Sequence, residues 1–325
     1  MRIRLATFNI ENLGRRSADD LPLAARLPTL KAQLGGLEAD ILCLQEVNAQ
    51  IGRSSKEREL LALAQLLDGT AYATFARAVT RQRHKDAPLD IHNLVVLSRW
   101  PIRQCRQIWN TLVPASIYRP VAAASMPDES GIFWDRPALY VEVDIARARG
   151  LHLINLHLRA PMAAYLPDQK ITSTAWKSVA GWAEGFFIAA MKRAGQAFEV
   201  RLLVDSIFDV DPQALIAVAG DFNAGPHEMP VRLVQGDPAD TGNAALAYRA
   251  LVPLAARDGA SAHTVIHSQR LLTLDHVLVS RPLAVNCRRI AVDNLALLDE
   301  SEAGWLSARR PGSYHAPVVV EFDLP

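Results

Sequence analysis

The sequence has few cysteines, and none are paired at the spacing of a metal knuckle or a redox motif. Cys43, Cys105 and Cys287 are the three cysteines of the 325-residue chain. They lie far apart and form no CxxC pattern, so a zinc ribbon and a dithiol redox centre are not expected. Cys43 lies within an apolar run and is predicted to be a buried thiol.

Excess charge and long apolar runs are also missing. The formal net charge is +1, so no global basic field indicates nucleic-acid binding, although a local basic groove would be sufficient. No stretch has the uninterrupted apolar length of a membrane span. The first residues, MRIRLATFNI, carry charge where a signal peptide needs an apolar stretch. A cytoplasmic location is therefore predicted.

Short apolar and β-branched runs recur along the chain and are typical of buried strands. Helical spacing is clearest in Leu21–Leu37 and Lys56–Leu67. Two strand-like runs, Ala138–Ile145 and Leu151–His157, are separated only by a turn, unlike the strict alternation of a doubly wound sheet. We therefore expect an α/β fold of two packed sheets flanked by helices, in a single domain over residues 1–325. The other predicted strands are Ile3–Ile10, Asp40–Val47, Asn93–Ser98, Leu215–Phe222, Leu274–Ser280 and Pro317–Asp323.

Polar side chains stand where six of these strands begin or end. Each has an ordinary explanation alone, because Asp and Asn favour turns and a Glu after a strand is usually solvated. Together they are harder to dismiss, since loops on a rigid sheet are where catalytic groups concentrate. These residues are Asn9, Glu11, Glu46, His157, Asp221, Asn223, Asp275 and His315.

A series of motifs in these regions resembles the endonuclease/exonuclease/phosphatase superfamily. GDFN together with the upstream LQE is the most specific part, and the series spans nearly the whole chain. The resemblance implies a four-layer α/β sandwich of two packed mixed sheets flanked by helices, with the site at one edge. The motifs are FNIEN (8–12), LQEVN (44–48), NLVVLSRWPI (93–102), INLHLRAP (154–161), GDFNAGP (220–226), LDHVLVS (274–280) and SYHAPVVVEF (313–322).

The resemblance implies a metal site and an activated water. Glu46 would be the main metal carboxylate, with Asn9 beside it. Mg²⁺ suits such oxygen ligands, and Mn²⁺ is an alternative. Asp221 would orient or deprotonate the attacking water, and Asn223 would hold that water or a phosphate oxygen.

The resemblance also implies groups that bind the phosphate. His315 would hydrogen-bond the phosphoryl group, and Asp275 would orient its ring and favour the imidazolium. His157 matches a second histidine of the deoxyribonuclease and sphingomyelinase branches, near the phosphate or the leaving group. Arg159, Asn93 and Tyr314 are assigned to substrate binding in this interpretation.

Two features depart from the family pattern. Ser313-Tyr314-His315 stands where family members usually carry Ser-Asp-His, so metal binding through Glu46 and water, a substrate contact by Tyr314 and a degraded site all remain open. A helix-compatible insertion at about 161–210 carries Trp176, Trp182, Phe186 and Phe187. These rings could form a lid or substrate platform, or they could pack the helix onto the sheet or a second subunit. Gly185 and Gly195 are expected to divide the segment into two helices.

The leading functional hypothesis is a Mg²⁺-dependent hydrolase of phosphodiesters in DNA or RNA. A basic stretch, Arg77 to Lys85, and Arg15 and Arg16 could contact a phosphate backbone, although a solvated loop is the simpler explanation. A small-molecule or lipid phosphate is the rival substrate class. A non-catalytic binding protein with a disabled site is the third possibility.

Overall fold

The protein is described by a computed structural model. It covers residues 1–14, 21–52, 57–122, 130–145, 150–172, 174–256, 262–301 and 311–325. Arg15 and Arg16, considered above as phosphate contacts, lie outside these ranges, as does Glu302, an acidic residue shortly before Tyr314.

Strands form most of the regular structure. In chain order they are β1 (Arg2–Leu13), β2 (Ile41–Val47), β3 (Gln50–Ile51), β4 (Arg58–Glu59), β5 (Ala76–Val79), β6 (Asn93–Ser98), β7 (Ile102–Ile108), β8 (Ser116–Tyr118), β9 (Ser130–Ile132), β10 (Ala138–Asp144), β11 (Gly150–His157), β12 (Leu215–Asp221), β13 (Val252–Leu254), β14 (Val265–His267), β15 (Arg270–Leu272), β16 (Asp275–Val279), β17 (Cys287–Val292) and β18 (Val318–Asp323). The helices are α1 (Leu23–Leu37), α2 (Leu61–Leu67), α3 (Val179–Val210), α4 (Met229–Gln235), α5 (Pro238–Thr241) and α6 (Arg281–Ala284), with 3-10 turns at Ala71–Thr74 and Ala244–Arg249.

Two six-stranded mixed sheets pack face to face, as predicted. The first has the strand order β17-β18-β1-β2-β6-β5, and the second has the order β13-β16-β12-β11-β10-β7. In each sheet one central pair is parallel, β1 with β2 and β11 with β12. Helix α1 covers the outer face of the first sheet and α3 covers that of the second. The expected four-layer sandwich is therefore confirmed.

The alternation of side chains along the central strands builds the layers. In β1, Leu5 faces the other sheet and Phe8 faces α1, as the period of two requires. At the carboxyl ends of the parallel pairs the inner face becomes polar. There Gln45 donates from Nε2 to Thr7 Oγ1 at 3.0 Å and to Asn155 Oδ1 at 2.7 Å. This buried contact joins the two sheets directly beneath the site.

Helix α3 is continuous over 32 residues, so the expected break at Gly185 and Gly195 is wrong. Both glycines give room to a neighbour rather than ending the helix. A Cβ on Gly185 would lie 2.6 Å from the Ala164 carbonyl oxygen, and one on Gly195 would lie 2.1 Å from the Trp134 ring. The helix begins at Ser178, whose side chain accepts from the Gly181 amide at 2.9 Å, a typical N-cap.

Candidate active site

The strand-end residues converge at one edge of the sandwich. Asn9 and Glu46 come from the parallel pair β1 and β2, and His157 and Asp221 end the pair β11 and β12. Asp275 begins β16 directly opposite Asp221 in the antiparallel register. Parallel strands that end together place their terminal side chains at the same edge, which is why residues far apart in sequence meet here.

Glu46 is held in a strained backbone conformation with φ of +60°, which is uncommon for a residue other than glycine. Its Oε2 accepts from the Asn12 amide at 3.0 Å, and its Oε1 lies 3.7 Å from His157 Nε2. Burial raises the pKa of Glu46. The positive charges of His92, Arg136 and His315 oppose this effect and outweigh it, so the net shift of the pKa is downward. Glu46 is therefore an ionised carboxylate in a nearly dry site.

Asp221 is the most densely hydrogen-bonded carboxylate of the site. Its Oδ2 accepts from Asn9 Nδ2 at 3.0 Å and from Asn223 Nδ2 at 3.2 Å, and its Oδ1 accepts from the Asn223 amide at 2.8 Å. Burial raises the pKa of Asp221 to about 7, His315 opposes the shift and Asp275 adds to it. A carboxylate with this pKa can take up and release a proton near neutrality.

His315 is paired with Asp275 at 2.8 Å through Nδ1, and its Nε2 lies 4.0 Å from Asp221 Oδ2. Burial lowers the pKa of His315, but the two carboxylates outweigh it and raise that pKa well above its usual value. Asp275 Oδ1 is buried and has no hydrogen-bond partner among the described residues. The geometry thus fits the predicted orientation of His315 as an imidazolium by Asp275.

His157 has the opposite protonation state. Arg136 donates to its Nδ1, and because a guanidinium can only donate, Nδ1 must be the unprotonated nitrogen. Burial and the charge of Arg136 lower the pKa of His157 well below its usual value. The ring is therefore neutral, and its Nε2 carries the hydrogen; this atom lies 3.4 Å from Asp221 Oδ2.

Two residues next to the predicted set also belong to the site. The ring of His92 lies 5.7 Å from that of His157 between centroids, and no motif singled it out. Glu11 belongs to the FNIEN motif, and the family resemblance assigns no role to it. Its Oε2 accepts from the Tyr314 amide at 3.0 Å, and burial raises its pKa, with a further contribution from Glu46. Its position as an acidic residue inside the FNIEN motif was the sequence feature that could have identified Glu11 as a site residue.

The geometry supports the predicted substrate-binding residues unequally. Arg159 lies at the rim and pairs with Asp135, which also binds Lys192 at 2.6 Å. The side chain of Tyr314 is 9% exposed, which leaves little of it for substrate. Asn93 is fully buried, donates to the Val47 and Leu89 carbonyls and accepts from the Leu89 amide. The predicted substrate contact of Asn93 finds no support, because its amide already holds the loop before β6.

A divalent cation fits the ionised carboxylates better than the histidine cluster. Ligand atoms of Asp221, Asp275 and His315 lie within 4.8 Å of one another, but an imidazolium has no lone pair to give to a metal. Glu46 and the neighbouring Glu11 offer hard oxygen donors. Asn9 is less well oriented, since its Nδ2 lies 3.4 Å from Glu46 while its Oδ1 accepts from the Glu11 amide.

Three described acidic residues shortly before Tyr314, Asp293, Asp299 and Glu300, have different surroundings. Asp299 accepts from the Ser268 and Gln269 amides in an exposed turn, and Glu300 pairs with His267. Asp293 lines a cavity of about 470 Å³ that also reaches His315. Of these, only Asp293 stands near the site.

Carboxylates, imidazoles and amides at the common edge of two packed mixed sheets define a hydrolase of phosphoester bonds. The chain belongs to the Endonuclease/Exonuclease/phosphatase family, whose sequence profile matches residues 6–315. The predicted resemblance is confirmed, and the protein is an enzyme that acts on phosphoester bonds. Divalent metals are general in this family. No curated protein sequence gives a significant match.

Solved structures share the fold at low sequence identity. Truncated TDP2 from Caenorhabditis elegans is 15% identical, covers 99% of this chain and 98% of its own, and has a TM-score of 0.55. The 3′-5′ exonuclease NExo from Neisseria meningitidis is 18% identical, with coverage of 99% and 100% and a TM-score of 0.54. A Neisseria NExo structure described as a 3′ phosphatase bound to a product DNA hairpin is 17% identical, with the same coverage and a TM-score of 0.52.

Among the described helices, none has the length and apolar character to cross a bilayer.

Proposed function

We propose that this protein is a Mg²⁺-dependent phosphodiesterase that acts on DNA or RNA, with Mn²⁺ as an alternative ion. The observation that carries the proposal is the placement of Asp221, with a pKa of about 7, between a neutral and a cationic imidazole. Such a group can accept a proton from water while the two rings meet a phosphate. Phosphodiester hydrolysis needs this combination of base and charge stabilisation.

Glu46 and Glu11 would hold the metal, with Asn9 nearby. When bound, the ion would neutralise charge on the phosphate oxygens as a Lewis acid. A carboxylate pair of this kind also compensates for the aspartate that Tyr314 replaces. The Tyr314 amide contributes indirectly by holding Glu11 Oε2 at 3.0 Å.

Protein side chains would carry out the proton transfer and stabilise the charge that develops on the phosphate. Asp221 would take the proton of the attacking water, and Asn223 would keep its carboxylate in place through the contacts at 2.8 Å and 3.2 Å. The His315 imidazolium would balance the negative charge that builds on the phosphoryl oxygens. His157 would donate a hydrogen bond from Nε2, because Arg136 occupies Nδ1. Removal of one such donor typically costs about 3 kcal/mol of transition-state stabilisation.

Two observations favour nucleic acid over a small ester. A related structure contains a product DNA hairpin. The basic stretch lines a surface cavity of about 760 Å³ at the edge strands β5 and β7, with Arg77, Arg81, Arg83, His84 and Lys85 in its wall. We further propose a single domain over 1–325, with the helical insertion at 161–210, and a cytoplasmic location.

An activity screen with Mg²⁺ and Mn²⁺ tests the proposal. DNA, RNA, bis-nitrophenyl phosphate and phospholipid would be compared at low and raised salt. We expect cleavage of nucleic acid that weakens steeply with salt, since phosphate contacts release counterions. Salt-indifferent turnover of a small ester or a phospholipid alone would contradict the nuclease assignment. Glu46→Gln and His315→Ala should abolish activity while the thermal unfolding curve keeps its cooperative form.

A further inference from the structure

The first half of α3 exposes an apolar stripe. Val179, Trp182, Phe186 and Phe187 fall at positions i, i+3, i+7 and i+8, on one face of the helix. Their exposed fractions are 81%, 46%, 39% and 52%. A helix that is apolar all round is normally covered on all sides, but among the described residues the best-covered side is the opposite face, which includes Glu184 and Ile188.

Further apolar side chains extend this stripe into a broad patch. The ring of Tyr118, in the β8–β9 hairpin, lies 5.7 Å from that of Phe187. Gln169 donates to the Ala122 carbonyl, which ties the segment before α3 to the same hairpin. We name these packed segments, residues 116–122, 130–134, 161–172 and 174–191, the lobe. Its other large exposed apolar residues are Ile117, Val121, Phe133, Met162, Tyr165 and Ile171.

The lobe is held rigidly from within. The buried carboxylate of Glu184 accepts from the Tyr118 hydroxyl at 2.8 Å and from the Val121 and Ala122 amides. One satisfied carboxylate thus fixes the hairpin against the buried face of α3. The exposed apolar residues are therefore presented by a preorganised surface, which lowers the entropic cost of binding to them.

The charges on the lobe select among the possible occupants. Arg119, Lys170 and Lys177 are basic, whereas Asp168 is the only exposed acidic residue in the described part of the lobe. A symmetric dimer would bring the same basic groups face to face. Nucleic acid would complement the charge, but Val179, Val121 and Ile171 gain nothing from base stacking. An anionic lipid surface matches both features, because basic residues meet the headgroups while aromatic and aliphatic side chains enter the acyl boundary.

We propose that the lobe docks the enzyme on anionic phospholipid membranes as a peripheral protein. The surface is continuous with the rim of the active site. Lys192, the residue after the lobe, pairs with Asp135 beside Arg136. Trp182 lies ten residues earlier, about 15 Å along the helix axis. Docking does not depend on the substrate, so it stands apart from the proposed nuclease activity.

Vesicle co-sedimentation of the full chain tests this proposal without any activity measurement. We expect binding to vesicles of phosphatidylcholine mixed with phosphatidylglycerol and much weaker binding to phosphatidylcholine alone. Trp182→Ser combined with Phe186→Ser should weaken binding at least about tenfold, because two aromatic side chains lose their burial. Lys177→Glu should weaken binding to the anionic vesicles specifically.

Phe198→Ser is the matched control, since Phe198 is 43% exposed on the same helix but outside the lobe. It should bind vesicles as the wild type does. Failure of the wild type to sediment with either vesicle would overturn the proposal. So would a dimer in sedimentation velocity that the double substitution dissociates, or loss of single-stranded DNA binding in that variant with vesicle binding unchanged. Unaltered melting curves would exclude misfolding of the variants.

Discussion

At the scale of single residues, the two histidines of the site differ because their partners differ. The Nδ1 atom of His315 faces a carboxylate at 2.8 Å, whereas the Nδ1 atom of His157 faces a guanidinium. The carboxylate stabilises an imidazolium, and the guanidinium stabilises the neutral ring. One site thereby offers a fixed positive charge and a neutral donor in the same pH range.

The pH dependence of hydrolysis should report Asp221 on its acid side. Burial sets the pKa of Asp221 at about 7, and only the ionised form can accept a proton from water. We expect kcat/KM to fall about tenfold for each pH unit below that value. A profile with bis-nitrophenyl phosphate would measure this limb. Asp221→Asn should remove it together with nearly all activity, and an acid limb centred near pH 4 would contradict the assignment.

The alkaline limb should report His315. The pKa of His315 is raised chiefly by the charge of Asp275, which outweighs the opposing effect of burial. Asp275→Asn removes that charge, so we expect the alkaline limb to move to lower pH. The acid limb should move in the same direction, because Asp275 also contributes to the raised pKa of Asp221. If Asp275 only positioned the His315 ring and did not change its pKa, the substitution would lower activity equally at every pH. The same pH profile would distinguish these two outcomes.

At the scale of secondary-structure elements, buried carboxylates on α3 organise the chain around it. Glu199 is 1% exposed. It accepts from the amides of Asn110, Thr111, Leu112 and Val113 and from Trp134 Nε1 at 2.7 Å. A carboxylate can accept from all these donors, but an amide has only one acceptor oxygen. This single side chain therefore holds the loop after β7.

Glu199→Gln should destabilise the protein by about 2–4 kcal/mol, because it leaves buried donors unpaired and sets an NH₂ group against them. Urea unfolding would measure the loss. Asp240→Asn is the control, since its carboxylate is exposed and pairs with Arg232 at 2.8 Å. That change should stay within about 0.5 kcal/mol of the wild type. Equal effects of the two substitutions would refute a special role for Glu199.

The glycines of α1 and α3 should respond oppositely to alanine. Gly195→Ala places a Cβ 2.1 Å from Trp134, so we expect a loss of about 1–3 kcal/mol despite the better helix propensity. Gly35 in α1 has no atom within 4 Å of the added Cβ. Gly35→Ala should therefore stabilise by about 0.5–1 kcal/mol. Thermal unfolding of both variants would check this, and stabilisation by both would argue against close packing at Trp134.

Whether a glycine interrupts a helix could not be predicted from the sequence. An interior glycine in a helical pattern can end the helix, give room to a close neighbour or, as at Gly35, do neither, and at Gly195 the position of Trp134 decides. The strand-end residues were predictable because each follows or precedes a strand-like apolar run within a motif. Which ring nitrogen of His157 donates a hydrogen bond was not predictable. It depends on Arg136, which lies between β9 and β10, whereas His157 ends β11. The inward contact of Asn93 likewise depends on Val47 and Leu89.

At the scale of the whole molecule, a net charge of +1 cannot attract nucleic acid by itself. Any steering must come from uneven placement of charge. The two sheets expose their edge strands β5 and β7 together, and Arg77 of β5 lines the edge cavity with Lys85 of the following loop. At the opposite edge of the first sheet, β17 also carries exposed arginines, and both pair with carboxylates: Arg288 lies 3.5 Å from Asp323 and Arg289 lies 3.9 Å from Glu321.

Arg77→Ala combined with Lys85→Ala should therefore raise KM for DNA but leave hydrolysis of bis-nitrophenyl phosphate unchanged. The slope of log affinity against log salt should fall by about 1 for each phosphate contact removed. Steady-state kinetics over a salt series would measure both quantities. Arg288→Ala combined with Arg289→Ala, on the far edge strand β17, removes the same number of charges and is the control, which should leave the slope intact. Equal changes in the two variants would mean that DNA responds to overall charge rather than to a path along the β5–β7 edge, and a loss of small-ester hydrolysis would place these residues in the catalytic site instead.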